Sequence, residues 1–199
     1  MSSAAQPGPS DWRARKKAAT RQSVQDHALR LFLEKGFEAT TVEEIAAAAG
    51  VSHMTFFRYF PAKEDVVLSD SYDPLIARLL EQTPADWPVL QRIRTALRQG
   101  LAEVYDTDRG TLLAQNKLIA ATPALRDRLW ADQIVTQQLF LRALGGAEPG
   151  HRPSLQTRVT VAACLAAAST AILAWVENDG TPELPELIDQ AFETLAHPG

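Results

Sequence analysis

The 199-residue chain is poor in the residues that build cross-linked, metal-bound or catalytic centres. It has one cysteine, Cys164, which excludes an intrachain disulfide and fits a reducing compartment. Its four histidines, His27, His53, His151 and His197, are scattered, and none has a helical i, i+4 ligand partner, so no metal site is expected. There is no glycine-rich phosphate loop and no G-x-S-x-G elbow, and with them go the obvious routes to catalysis or to a bound cofactor. No run of alternating β-branched residues is closed by a hairpin turn, and no internal repeat is visible. The opening MSSAAQPGPS lacks a basic segment followed by an apolar one, so no secretory leader is expected. The most apolar stretch, Val159 to Val176, is alanine-rich and interrupted by Thr160, Ser169 and Thr170, which reads as a buried helix rather than a membrane span. A cytoplasmic location is therefore expected.

What is present is ordinary globular material, 46% hydrophobic and 22% charged. The net charge of −4 argues at first against a polyanionic partner, but its distribution does not. Residues 1–63 carry nine basic and six acidic side chains, whereas residues 64–199 carry eleven and eighteen. Arg13, Arg15, Lys16 and Lys17 stand together, with Arg21 one turn later. A small phosphate-facing module on an acidic body would have this charge split; a solvated helix face would have it too.

The periodicity is helical throughout, so the fold class is all-α. Residues 1–11 read as a disordered tail. Val24, Ala28, Leu31 and Phe32 recur at helical spacing from Trp12 onward, and Gly36 supplies a stop. Thr41-Val42-Glu43-Glu44 has the form of a capping box, and the helix it opens ends at Gly50. Ser52 is placed to cap a second helix over 53–60, ended by Pro61. A longer helix is expected from Glu64 to about Tyr72, broken at Asp73-Pro74, with others at about 89–106, 109–121, 124–145, 154–178 and 184–196.

The segment Thr41–Phe60, TVEEIAAAAGVSHMTFFRYF, meets the physical needs of a helix-turn-helix. Ala46 allows two helices to cross closely, and Gly50 tolerates the positive φ of a tight turn. Ile45, Ala49, Val51, Phe56 and Tyr59 or Phe60 are spaced for a shared core. His53, Met54, Thr55, Phe57 and Arg58 are left facing outward, a polar and aromatic surface suited to a major groove. Met54 fits equally well as a base-contacting or a merely exposed residue.

The block from Arg15 to Val67 resembles the N-terminal domain of the TetR family of regulators. The resemblance rests on Gly36-Phe37, Thr40-Thr41, Ile45-Ala46, Ala49-Gly50-Val51-Ser52, Tyr59-Phe60 and Lys63-Glu64. It implies an N-terminal three-helix DNA-binding domain over 12–66 and a ligand-binding and dimerisation helical bundle over 67–199. It implies a homodimer that reads a palindromic double-stranded operator and is released by a small molecule. Carried over position by position, His53, Met54 and Thr55 would face base edges or nearby phosphates, and Arg58 a guanine or a phosphate. Tyr59, Lys63, Thr41 and Ser52 would meet the phosphate backbone. Two residues depart from the family pattern: Phe57, where a tyrosine is common, and Ala62, where a capping Ser, Thr or Asn is common. With Ala62 in that place, the next helix is expected to start on Pro61 geometry.

In the second domain the resemblance implies that the helices near 154–178 and 184–196 pair with those of a second subunit. Ala163, Ala166, Ala167, Ala168, Ala171 and Ala174 would permit close approach. A ligand site would lie among the helices at 75–145, with Tyr105, Asn116, Trp130, Gln133, Gln137 and Phe140 as candidates and Trp175 joining from the interface side. WRARKKAATR, TFFRYFPAKEDVVLSD and Asp73-Pro74-Leu75 are similar to a branch associated with acyl-CoA-like ligands, which includes the mycofactocin-system regulator. On that resemblance Arg94, Arg98, Arg109, Arg126 or Arg128 would meet the ligand's phosphates. The alternative is a constitutive DNA-binding protein without ligand control.

Overall fold

The structure is a computed structural model that describes residues 9–68, 72–145 and 152–197. The described residues are helical and contain no strand. The chain divides into two compact units on either side of residues 69–71.

The first unit holds α1 (Pro9–Lys35), α2 (Val42–Ala48), α3 (His53–Tyr59) and α4 (Lys63–Leu68). Of the tail expected over 1–11, residues 1–8 lie outside the described residues, and α1 starts at Pro9, ahead of Trp12. It stops at Gly36, whose φ of +88° turns the chain, with the Gly36 N–H donating to the Phe32 carbonyl. Val24, Ala28, Leu31 and Phe32 face inward against Phe37, Ile45, Ala46, Phe56, Phe60, Val66 and Val67. The inward aromatic at the end of α3 is thus Phe60, while Tyr59 is half-buried. Ala49 and Val51, expected in this core, are only half-buried.

The caps follow the chemistry of the side chains. Thr41 Oγ1 accepts the Glu44 N–H while Glu44 accepts the Thr41 N–H at 3.0 Å, a closed capping box. Ser52 Oγ accepts the Thr55 N–H at 3.1 Å. Gly50, at φ +66°, makes the turn between these helices. At α4 the missing cap at Ala62 is replaced from inside the helix, since Asp65 Oδ2 accepts the Ala62 N–H at 2.9 Å. Val66 and Val67 are buried and Gln25 donates to the Val66 carbonyl, so this unit runs past the boundary expected at 66.

The second unit holds α5 (Tyr72–Glu81), α6 (Val89–Ala121), α7 (Pro123–Gly145), α8 (Leu155–Glu177) and α9 (Leu184–Ala196). The helix expected from 64 to about 72 is described to Leu68, residues 69–71 lying outside the described residues, and Asp73-Pro74 lies within a helix rather than beyond its end. It lies in the first turn of α5, where proline's missing N–H has no intrahelical acceptor to lose. The two helices expected at 89–106 and 109–121 are one element with a kink at Asp108, where φ −151° and ψ 41° leave the helical region. A shared core joins Leu80 of α5, Ile93 and Leu112 of α6, Phe140 of α7, Val161 and Trp175 of α8, and Phe192 of α9. Among the described residues α8 is the one helix long and apolar enough to cross a membrane. It buries Val161, Cys164, Leu165, Ala168, Ala171 and Trp175 within this unit, as a core helix does. Burial also pushes the Cys164 thiol up to about 12, so it remains protonated and unreactive.

Candidate nucleic-acid interface

The outward surface of α3 is built from its buried one. Phe56 and Phe60 are fully buried, their rings tilted to each other with centroids 5.7 Å apart, which fixes the rotation of this two-turn helix. The rotation leaves His53, Met54, Phe57 and Arg58 exposed, Met54 to 83%, with Thr55 and Tyr59 half-buried beside them. The His53 ring meets Phe57 edge-on at 4.7 Å, and its Nε2 lies 3.3 Å from Glu43 Oε1 on α2. Arg58 lies over the Tyr59 ring at 5.4 Å.

The neighbouring helix completes the surface. Trp12, Arg13, Lys16, Lys17 and Thr20 of α1 face Gly50, Val51, Ser52, Thr55, Arg58 and Tyr59 across a groove of about 900 Å³. Among the described lining residues four side chains are cationic and none is a carboxylate. A low-dielectric concavity walled by one sign of charge concentrates the opposite sign. Arg13, Lys16 and Lys17 of the basic cluster and the groove side of α3, some 40 residues apart in sequence, therefore form one surface.

The other expected contacts divide. Thr41 and Ser52 use their hydroxyls as helix caps, and Ser52 Oγ also donates to Thr55 Oγ1 at 2.9 Å. Lys63 does not extend into solvent: its ammonium donates to the Phe37 carbonyl at 2.8 Å and the Thr40 carbonyl at 3.2 Å. Two of its three donors are thus used inside the unit. Sequence reasoning did not identify Trp12 and Thr20 as part of this surface, nor Glu43 and Asp65 as the carboxylates that hold His53 and the start of α4.

In the second unit Tyr105, Arg109 and Trp175 come together, but around a carboxylate of the same chain. Tyr105 donates to Glu183 and Arg109 reaches both Glu183 oxygens, at 2.9 and 3.1 Å, and the Gly180 carbonyl at 2.7 Å. The Tyr105 hydroxyl, and then the Arg109 guanidinium, hold the Glu183 carboxyl below its usual range. Tyr105 lies 5.8 Å from the Trp175 ring, and the buried Trp175 indole N–H has no hydrogen-bond partner among the described residues. Glu183, 74 residues from Arg109, carries no local signal of this role. Phe140 fills the core, Asn116 donates to the Leu112 carbonyl, Gln137 donates to the Arg158 carbonyl, and Gln133 is half-buried on α7. The Trp130 side chain lies outside the described residues. Of the other arginines proposed for phosphates, Arg94 and Arg98 pair with Asp189, Arg126 donates to the Ala120 carbonyl, and Arg128 pairs with Asp132.

Residues 25–69 match the model of bacterial regulatory proteins of the tetR family, and residues 87–198 match the MftR C-terminal domain. The HTH-type transcriptional regulator TcmR of Streptomyces glaucescens is 39% identical over 120 residues, 57% of this chain and 53% of that protein. A protein assigned as the mycofactocin biosynthesis transcriptional regulator MftR of Mycobacterium tuberculosis is 23% identical over 91% of both chains. The chain spans about half the length of curated relatives such as TcmR and the Escherichia coli regulator RutR. Among solved structures, the TetR-family repressor FadR of Thermus thermophilus in complex with lauroyl-CoA superposes with a TM-score of 0.52. It is 24% identical, over 88% of this chain and 93% of that one, and so shares the fold.

Proposed function

The chain belongs to the TetR family of bacterial regulatory proteins, and from that membership we propose that it is a sequence-specific DNA-binding repressor acting as a homodimer. The observation that carries the reading is the outward face of α3, exposed His53, Met54, Phe57 and Arg58 with half-buried Thr55, beside a groove whose described lining holds four cations and no carboxylate. Thr55 and Arg58 are polar donors of α3 that also line the groove; an Arg–guanine pair contributes roughly 1–3 kcal/mol of discrimination. Phe57 offers an apolar edge suited to a thymine methyl. Selection of binding sites from a random duplex pool tests the reading. The enriched site should be an inverted repeat, and the R58A/T55A double variant should lose specific retention in a gel shift while keeping its oligomeric state. No enriched site, or specific retention by the double variant, sinks it.

Dimerisation is supported by the second face of α8. Leu155, Val159, Ala162, Ala166 and Leu173 recur at helical spacing and are exposed, the three larger ones to 75, 58 and 49%. An exposed apolar stripe of this length calls for a partner surface.

The effector we propose is an acyl-CoA-like or similarly hydrophobic compound. Support comes from the match of residues 87–198 to the MftR C-terminal domain and from the fold shared with the lauroyl-CoA-bound repressor. Tyr105, Arg109 and Trp175 are the residues to follow, since a ligand phosphate would compete with Glu183 for Arg109. The competing reading is a constitutive DNA-binding protein. Thermal shift with acyl-CoAs of graded chain length, paired with operator release, separates the two: a ligand must stabilise the protein and also weaken DNA binding.

A further inference from the structure

The first residue of α3 is a histidine, and a neutral imidazole carries one N–H donor and one bare nitrogen acceptor. Which nitrogen holds the proton decides whether His53 offers a donor or an acceptor to a base edge. Glu43, in the first turn of α2, bears on that choice, with Oε1 3.3 Å from Nε2 of His53. A carboxylate accepts and never donates, so it stabilises a proton on the nitrogen that faces it. Nδ1 is then the bare nitrogen, and among the described residues it has no hydrogen-bond partner. The ring is also held in place. It meets Phe57 edge-on at 4.7 Å, and Phe57 meets the buried Phe56 edge-on at 5.3 Å. Orientation is thus passed from the core of the unit to an exposed side chain. A first-turn carboxylate favours its own helix through the dipole, but Glu44 already does so and closes the capping box. Beside a DNA-reading face, a second exposed carboxylate lowers affinity for any duplex, a cost that a gain in specificity would account for.

We propose that Glu43 is a specificity-determining positioning residue that keeps the His53 proton on Nε2. Nδ1 then accepts from an exocyclic amino group, adenine N6 or cytosine N4, at one position of each half-site. The inference rests on the DNA-binding reading and deepens it, naming the base class that one residue of α3 selects and the group that makes it do so. Guanine and thymine present only acceptors at the major-groove edge, O6 and N7 or O4, and are disfavoured opposite a bare nitrogen. Glu43 acts through His53 and makes no base contact of its own.

The test measures affinity for the selected operator by fluorescence anisotropy at pH 8, where an ordinary imidazole is neutral. It uses the full chain, E43A, H53A and the E43A/H53A double variant, on duplexes carrying every base pair at each half-site position. The position of interest is the one at which H53A loses discrimination. There the unsubstituted protein should prefer adenine or cytosine by roughly three- to tenfold, the contribution of one neutral hydrogen bond. E43A should lose most of that preference while binding all duplexes somewhat more tightly. Without His53, removing Glu43 should change affinity but not preference. A Glu43 that merely supported α2 would instead lower thermal stability and weaken every duplex alike. Nitrogen-15 NMR of the free protein adds a readout without DNA: the share of the His53 proton on Nε2 should fall in E43A. Circular dichroism confirms that each variant is folded. No position sensitive to H53A, a preference there for guanine or thymine, or a preference or proton share unchanged in E43A would overturn the inference. So would an effect of Glu43 on preference that persists without His53, the mark of a direct contact to cytosine. Each of these leaves the DNA-binding reading intact; failure of the unsubstituted protein to select any site would overturn both.

Discussion

Lys63 donates to the carbonyl oxygen of Phe37 at 2.8 Å while its ammonium lies 4.2 Å from the centre of the Phe37 ring. The residue opening α4 is thereby tied to the loop that ends α1, and its charge helps satisfy the carbonyls of Phe37 and Thr40. Hydrogen bonds from a charged donor contribute about 1.5–3 kcal/mol, less where solvent competes. Lys63→Ala should therefore destabilise the first unit by about 1–2 kcal/mol, read as an earlier thermal transition. Operator affinity should fall through loss of fold without a change in salt slope. A slope reduced by about 0.9 would instead make Lys63 a phosphate contact.

How far the sequence alone reached follows from the range of each interaction. The capping box at Thr41–Glu44, the Ser52 cap and the Gly50 turn are legible because every partner lies within four residues. The inward set of α1 is legible because one face of a helix repeats. The groove is not, since it needs α1 placed against α3 by Val24, Ala28, Phe56 and Phe60. Glu183 is missed for the same reason: its partners are on another helix. Lys63 carries the family's residue, but only the packed loop shows that its donors turn inward. Pro74 misleads because a proline signals both a helix break and a helix start, and residues further away decide which.

Substituting Thr41 tests the capping box. Thr41→Ala removes the acceptor for the Glu44 N–H and should cost about 1 kcal/mol. Glu44 is also bonded by Lys35 at 2.6 Å, which is the main reason, ahead of the Thr41 N–H, that its carboxyl is held below its usual value. A lowered folded-state pKa means that this contribution is complete above the unfolded value of 4.5 and disappears as pH falls through the folded one. The stability gap between the unsubstituted protein and Glu44→Gln should thus be present at pH 6 and narrow on acidification below 4.5. A gap independent of pH would refute the assignment.

Two glycines at positive φ should respond differently to alanine. At Gly50, φ +66°, an added Cβ meets nothing within 4 Å, so only the left-handed backbone penalises it, by about 1 kcal/mol. At Gly180, φ +85°, the added Cβ would lie 2.9 Å from Leu113 Cδ2 and 3.3 Å from Arg109 Nη2. Gly180→Ala should therefore cost somewhat more, about 1–2 kcal/mol, because the ends of Leu113 and Arg109 must shift, and it should disturb the Arg109–Glu183 pairing. Thermal melts of the two variants should rank them in that order; the reverse order would mean the 178–183 turn relaxes freely.

A charge placed in the exposed stripe of α8 tests the proposed dimer. Ala166 lies in its middle, flanked by Ala162 and by Ser169 and Thr170, all exposed. Ala166→Arg should convert the protein to a monomer by light scattering, because a helix–helix interface of small residues has no room for a guanidinium. Operator affinity should drop steeply with it, since each half-site is then bound singly. A dimer of unchanged mass would place the interface elsewhere.

Asp73 sits in the first turn of α5 and accepts a 2.5 Å hydrogen bond from the Thr136 hydroxyl. Burial raises its pKa, with a smaller push from Asp132, and together these outweigh the Thr136 bond that lowers it. A raised folded-state pKa means that the folded protein holds this proton more tightly than the unfolded chain. Ionised Asp73 is therefore a cost at neutral pH, relieved as pH falls through the folded value toward 3.8. Asn at this position keeps an acceptor for Thr136 and cannot ionise. Asp73→Asn should stabilise the second unit at pH 7, read as a later thermal transition than the parent's. The advantage should shrink as pH approaches 4. Loss of the first-turn charge opposes the gain by a few tenths of a kcal/mol at an exposed helix start. A variant less stable than the parent at pH 7 would show that the helix-start charge outweighs its burial.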